Sequence, residues 1–304
     1  MRKAFINALN DIAFENKDIM ALISDNGAIV YDKYRKELPE QYLNLGISEA
    51  NMIAAAAGMS TLGLIPFIYT ISNFLTMRGF EFIRNDVCLN NANVKIVGTG
   101  AGFAYSVLGA THHATEDIAV MRVLPNLTIF SPASPLETAA MTAQASQIEG
   151  PVYLRIGTGN TPEIYEESYK FLAGKGITLK NGKDVAIIGT GGILSEAIKA
   201  HAILEEIGIV ARIINIHTIK PIDEQIIIKA AQETKKIFTL EEHSTIGGLG
   251  DAVGDVLLRH GCTMKHFEKI GLIDTFAKGY GSYEHLKKVN RLDAQSLVNR
   301  IAAC

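Results

Sequence analysis

Gly46-Ile47-Ser48-Glu49-Ala50-Asn51-Met52-Ile53-Ala54-Ala55-Ala56-Ala57-Gly58-Met59 carries the reading of this chain. It follows a short apolar run, Tyr42 to Leu45, and its composition predicts a helix from about Glu49 onward. That helix is nearly all small and apolar, so it is buried on most of its circumference. A glutamate in a first helical turn ordinarily serves the free N–H groups and the helix dipole. In a buried helix the same carboxyl is desolvated, and burial is expected to raise its pKa and keep it a proton donor near neutrality. Glu49 is therefore the first candidate for chemistry.

On either side of this stretch, helical spacing alternates with short apolar runs. Residues 3–16 place Phe5, Ile6, Leu9, Ile12 and Ala13 on one helical face. Ile19 to Ile23 reads as a buried strand ending at the turn Ser24-Asp25-Asn26-Gly27. Val94 to Gly98, Leu127 to Phe130 and Val152 to Ile156 are further strands. After a glycine-punctuated polar connector, a second unit opens with Asp184 to Ile188, the turn Gly189-Thr190-Gly191-Gly192, a helix through Glu206 and a strand from Ile209 to Ile216. Lys235 to Leu240 follows as a strand, and Gly247-Gly248-Leu249-Gly250 precedes another helix. Repetition of this kind predicts parallel sheets with helices on both faces. The expected fold class is α/β, with two doubly wound domains: 1–165, a linker over 166–183, and 184–304.

The 304 residues suffice for two cores, and 48% hydrophobic with 20% charged residues is the composition of an ordinary globular protein. A net charge of -3 gives no electrostatic case for nucleic acid or an anionic membrane. Cys88, Cys262 and Cys304 form no C-x-x-C and no even set, which argues for reduced thiols and a cytoplasmic location. No apolar run is long enough to span a bilayer. Gly189-Thr190-Gly191-Gly192-Ile193-Leu194 and Gly98-Thr99-Gly100-Ala101-Gly102-Phe103 each lack the last glycine of a dinucleotide fingerprint, so they are expected to be tight strand-to-helix turns. Glu241-Glu242-His243 could suggest a metal site, but neighbours on a strand point apart and no further ligand stands at a useful spacing, so no metal ligand is expected.

Gly109-Ala110-Thr111-His112-His113 is a second polar segment in a glycine-rich loop, and Ile71-Ser72-Asn73-Phe74-Leu75-Thr76-Met77-Arg78 a third, with one aromatic and one cation. In order and spacing, the three segments resemble the pyrimidine-binding half of the transketolase family, which includes deoxyxylulose-phosphate synthases and the β subunits of 2-oxoacid dehydrogenases. The resemblance implies that Glu49 bonds the aminopyrimidine N1′ of thiamine diphosphate, which activates the thiazolium C2; the demanding chemistry then belongs to the cofactor. It places Phe74 against the pyrimidine ring, with Ile71 and Met77 at matching pocket positions and Arg78 as a nearby anchor. It makes His112 the contact to the reactive carbon and the donor's hydroxyls, with His113 where glutamine is usual. Asp25 matches an aspartate near the cofactor at the subunit junction. Arg2 and Arg155 match groups facing the substrate's phosphate end. His217-Thr218-Ile219-Lys220-Pro221 and Glu241 to Gly250 resemble the family's carboxy-terminal domain.

Three departures bear on substrate. The acidic pair that precedes the Thr-His in ordinary transketolases is missing from Ser106-Val107-Leu108-Gly109. A second substrate histidine is matched by Gly100, and an acceptor-gripping arginine by Thr158. The family's Gly-Asp-Gly segment, which with a more distant asparagine holds Mg²⁺ and the diphosphate, does not occur in the chain. The expectation is thus half an active site. The chain would be the C-terminal subunit of a split transketolase, in an α2β2 assembly with an N-terminal subunit that carries the diphosphate and Mg²⁺. It would move a two-carbon ketol unit from a ketose to an aldehyde, with a sugar or sugar-phosphate as substrate and a non-standard acceptor. The alternatives are a deoxyxylulose-phosphate synthase-like or 2-oxoacid dehydrogenase β-like subunit, or a scaffold without turnover.

Overall fold

The computed structural model describes the whole chain except residues 27, 159–160, 166–169 and 235. The first unit is built on β1 (Ile19–Ile23), β2 (Tyr42–Asn44), β3 (Ile65–Ile71), β4 (Lys95–Thr99), β5 (Thr128–Phe130) and β6 (Val152–Ile156). They lie in the order β5-β6-β4-β3-β1-β2, all parallel. Its helices are α1 (Arg2–Glu15), α2 (Asp32–Glu37), α3 (Glu49–Ser60), α4 (Phe80–Phe82), α5 (Asp117–Arg122) and α6 (Pro135–Gln147). Phe5, Ile6, Leu9 and Ala13 of α1 meet Met141 and Ala145 of α6 over one sheet face. Met52, Ile53 and Ala56 of α3 cover the other, with Ile118 and Met121 of α5. Parallel strands so covered are mostly apolar, which is why they read as nearly continuous runs. The start of α6 is chemically specified: Ser134 Oγ accepts from Glu137 N at 3.3 Å while Glu137 Oε2 accepts from Ala133 N at 2.5 Å, a reciprocal cap.

The second unit contains β7 (Ile177–Lys180), β8 (Val185–Gly189), β9 (Ala211–Asn215), β10 (Thr218–Lys220), β11 (Lys236–Ser244) and β12 (His266–Leu272). Its sheet runs β12-β11-β8-β9-β7, with β7 antiparallel at the edge. The helices α7 (Leu194–Glu206), α8 (Glu224–Thr234), α9 (Leu249–Arg259), α10 (Tyr283–Val289) and α11 (Ala294–Ala302) pack on its two faces.

Two features differ from the sequence expectation. The segment read as a linker, 166–183, contains β7, which forms an edge of the second sheet; of its earlier part, 166–169 lie outside the described residues. β10 does not join its own unit's sheet. It pairs antiparallel with β5 and so extends the first sheet to seven strands. Phe103, from the first unit, is buried in the core of the second beside Leu194 and Leu240. The two units share a seam of backbone hydrogen bonds and apolar packing. No described helix is long and apolar enough to cross a membrane.

Candidate active site

In an open parallel sheet, sites form at the carboxyl ends of the strands. Three of the segments singled out from the sequence leave such ends: Glu49 follows β2, Phe74 follows β3, and His112 follows β4. The loop before Glu49 is fixed by short bonds. Ser24 Oγ donates to Gly46 O at 2.8 Å, and Asn44 Oδ1 accepts from both Asp25 N (3.2 Å) and Gly46 N (3.0 Å). Asn44 Nδ2 returns a bond to Asp25 Oδ1 at 3.1 Å. Asp25 thus ties the ends of β1 and β2 together and holds the approach to Glu49.

Glu49 is the first residue of α3 and is only 2% exposed. Its Oε2 accepts from Arg78 Nη1 at 2.7 Å, although the Arg78 side chain is 53% exposed. The cation expected as a nearby anchor therefore bonds the carboxylate itself. Arg78 reaches it because the chain after β3 enters a wide π-turn, Phe74–Arg78, followed by α4 and a second π-segment, Ile83–Cys88. Such wide turns are uncommon and recur at functional sites. At Gly79, directly after Arg78, a Cβ would stand 2.2 Å from Ile53 Cδ1 and 2.7 Å from Leu75 O. Only glycine lets this segment lie so close to α3.

The Arg78 guanidinium also lies over the Phe74 ring, 5.1 Å from its centroid. Phe74 in turn meets His112 edge-on at 5.1 Å, and Tyr105 flanks His112 at 6.4 Å. Thr111 Oγ1 holds His112 Nδ1 at 3.0 Å, and Asn73 Nδ2 donates to Thr111 O at 2.8 Å. Glu49, Arg78, Phe74 and His112 therefore form one contiguous array. Ile71 ends β3 beside it and is half-buried; Met77 is 41% exposed. Ile47, Val107 and Leu108 are further exposed apolar residues in the loops that carry Glu49 and His112. An apolar rim of this kind marks a surface made to be covered.

These residues fit the aminopyrimidine that the resemblance implies. The ring is flat, donates and accepts hydrogen bonds on its edge, and needs a carboxylate beside an aromatic face. Arg78 already makes both contacts with a flat N–H-bearing group, bonding Glu49 and covering Phe74. The guanidinium is a stand-in for the heterocycle.

Other candidates are placed differently. Arg155 is 3% exposed and lies in the seam: Nε donates to Asp117 Oδ2 at 2.8 Å, and Nη2 donates to Ala114 O at 2.8 Å and Glu242 O at 3.2 Å. It is not gathered with the array, which revises the expectation that it faces substrate there. Burial opposes its charge, but Asp117, Tyr153 and Glu242 together outweigh that, so its pKa is raised. His113 is buried edge-on to Phe103 at 5.6 Å; burial lowers its pKa, partly offset by the Ser106 backbone. Neither of its ring nitrogens makes a hydrogen bond of normal geometry. It is turned into the seam and away from a substrate role. Arg2 opens α1 and acts on the buried Tyr69 phenol, which also interacts with Thr99 and Tyr105.

Within the seam, Tyr153 OH also donates to Asp117 Oδ2 at 2.7 Å. Glu241 is pushed up to about 7 by burial, against the Gly250 and Leu249 N–H groups that its carboxyl receives at the start of α9. Glu242 accepts from the Phe103 N–H and, at 2.6 Å, from the Tyr283 hydroxyl. The two neighbouring carboxyls thus serve different partners. Asn73 carries no signal in one sequence beyond its place next to Phe74, whereas Tyr105 is legible there as aromatic surface in the loop that carries His112.

Two family models match the chain: the transketolase pyrimidine binding domain over residues 1–163 and the transketolase C-terminal domain over 174–297. A putative transketolase C-terminal section from Methanocaldococcus jannaschii is 40% identical over 99% of this chain and 95% of its own length. A subunit of the apulose-4-phosphate transketolase of Phocaeicola vulgatus is 38% identical over 84% of this chain and 83% of its own. Among solved structures, a split-gene transketolase, an inactive β4 tetramer, superimposes with a TM-score of 0.92 at 39% identity, over 99% of this chain and 97% of that one.

Proposed function

This chain belongs to the transketolase family, whose members depend on thiamine diphosphate, and on that premise we propose that it is the pyrimidine-binding subunit of a split transketolase. The observation that carries the proposal is the contiguous array of Glu49, Arg78, Phe74 and His112 at the carboxyl ends of β2, β3 and β4. Glu49 holds the pyrimidine N1′ and keeps a proton there. Phe74, with Ile71 and Met77, bounds the ring, and Arg78 leaves Glu49 to make room. His112, oriented by Thr111, hydrogen bonds the donor hydroxyls and takes or returns their proton. When bound, thiamine diphosphate supplies the nucleophilic carbon that breaks and remakes a carbon–carbon bond beside a carbonyl. Its diphosphate and Mg²⁺ belong to the N-terminal partner, in an α2β2 complex. The split-gene relative that forms an inactive β4 tetramer supports this dependence on a second chain.

The acceptor departs from ordinary pentose phosphates. A Cβ at Gly100 would stand 2.2 Å from the Tyr105 ring, so an aromatic surface fills the place of the family's second histidine. Thr158 is engaged with Ala104 O at 3.2 Å, Leu108 is 47% exposed, and Arg155 lies in the seam, bonded to Asp117 and outside the array. Each missing charge-assisted bond to phosphate forfeits about 1.5–3 kcal/mol. The apulose-4-phosphate relative supports a family branch with unusual sugars. Reconstitution with the partner chain tests the reading: ketose consumption without CO2 release is expected, with poor use of ribose 5-phosphate. CO2 release from pyruvate would move the chain to the synthase or dehydrogenase branch. No turnover with any ketose would reduce it to a scaffold.

A further inference from the structure

A concavity with a mostly apolar lining and a few polar groups lies between the two units, lined by none of the Glu49 array. It encloses about 290 Å³, close to the lower end of small-molecule sites at about 300 Å³. Its floor is the turn Thr190-Gly191-Gly192 that leads into α7, a helix of 13 residues. The N–H groups of Gly191 and Gly192 have no partner among the described residues, and they lie at the positive end of the helix.

The opposite wall carries an independent signal. Ser131 is fully buried, lines the cavity, and its Oγ has no hydrogen-bond partner. A Cβ built on Gly191 would stand 3.1 Å from Ser131 Oγ and 3.8 Å from Arg155 Nη1. The hydroxyl and the guanidinium therefore meet directly over the glycine backbone. The other Arg155 nitrogens are committed to Asp117 and to backbone carbonyls, which leaves Nη1 turned to the cavity. Of the two carboxyls that line the same space, Glu242 is occupied by the Phe103 N–H and the Tyr283 hydroxyl, and Glu284 is paired with Lys287 at 2.8 Å. A buried hydroxyl left unpaired is costly, and natural folds keep one where a ligand or water completes it.

We propose that this interdomain cavity binds the phosphoryl group of a small metabolite, with Ser131 Oγ, Arg155 Nη1 and the Gly191 and Gly192 N–H groups as donors. Donors from several directions suit a tetrahedral anion better than a planar carboxylate. Ala101, Ala104 and Pro132 offer the apolar wall for a short carbon skeleton. The site needs neither the partner chain nor thiamine diphosphate, so its fate is separate from that of the Glu49 array.

Crystals of the full chain soaked in tungstate, a tetrahedral anion with strong anomalous scattering, test the proposal without any variant. The expected result is an anomalous peak between Ser131 Oγ and the Gly191 and Gly192 nitrogens. Calorimetric titration with inorganic phosphate should show binding to the parent chain and at least about tenfold weaker binding to Ser131→Ala. The same variant should melt no lower than the parent without phosphate, because it removes an orphaned hydroxyl. A soak with no peak in the cavity, or phosphate affinity unchanged in Ser131→Ala, would overturn the assignment.

Discussion

The Glu49 array and the seam between the units use the same residue types to opposite ends. In the seam, Asp117, Arg155, Tyr153, Glu241 and Glu242 are buried and each is engaged by other groups of the fold. In the array, a buried carboxylate is held by a half-exposed arginine, that arginine lies over an aromatic face, and the rim is apolar and open. Networks tied mainly to the fold's own groups set geometry, whereas open ones set out what must still arrive. Arg155 shows the difference: its residue type suggested a phosphate grip, and its environment makes it chiefly a strut.

Breaking the seam should give the largest effect. Arg155→Met leaves Asp117 buried without its cation, and loss of one partner of a buried pair typically costs about 3–5 kcal/mol. Urea denaturation should record that loss, with Glu49→Gln near the parent in the same assay. If the two variants lose equal stability, the contrast between strut and site is wrong.

Next in size, Glu49→Gln keeps the shape of the side chain and removes its ionisable proton. Hydrogen–deuterium exchange at the thiazolium C2 in the assembled complex should slow by about 10²-fold or more. An unchanged rate would return Glu49 to a purely helical role.

The seam also predicts a pH dependence. Burial lowers His217 to about 4, against an ordinary value of about 6.5. The unfolded chain therefore takes up a proton that the folded one refuses. Stability from this group is complete above about pH 6.5 and falls toward pH 4 by up to about 1.4 kcal/mol per unit. Glu241, raised to about 7, acts in the opposite sense: its carboxyl stays protonated longer in the fold, so stability declines as pH rises from about 4.5 to 7. Subtracting the melting profile of His217→Gln from that of the parent isolates the histidine, and a flat difference would refute its burial as neutral. The smallest effect belongs to Phe74→Leu, which should weaken cofactor affinity of the complex by about 0.5–1.5 kcal/mol without shifting the melting temperature.

Most of the array was legible in the sequence because its three segments are continuous and their residue types are unusual together. The strands β1 and β6 were read with their observed limits, β1 as an unbroken apolar run and β6 as a run broken only by Arg155. β3 escaped notice although it is central: Pro66 at its second position is a signal against a strand. β7 alternates partly buried and exposed residues at a sheet edge, so the segment read as a connector. Pairing of β10 with β5 joins residues far apart in the chain, and no local pattern encodes such a partner. The fate of Arg155 was hidden likewise, because Asp117 and the strand carrying Glu242 approach it only in the fold. Arg78 was named as an anchor, but its bond to Glu49 depends on the π-turn and on Gly79.

The exchange of β10 into the first sheet limits where this polypeptide can be divided. A cut in the region around 166–183 would strip β5 of its neighbour and leave an unpaired strand edge exposed to association. Neither fragment would be a self-sufficient unit, and co-expressed halves would have to find each other through a three-residue strand. Recombination that swaps one unit for a foreign counterpart meets the same obstacle, since the newcomer must supply a strand that fits β5. The two units travel as one inheritable piece.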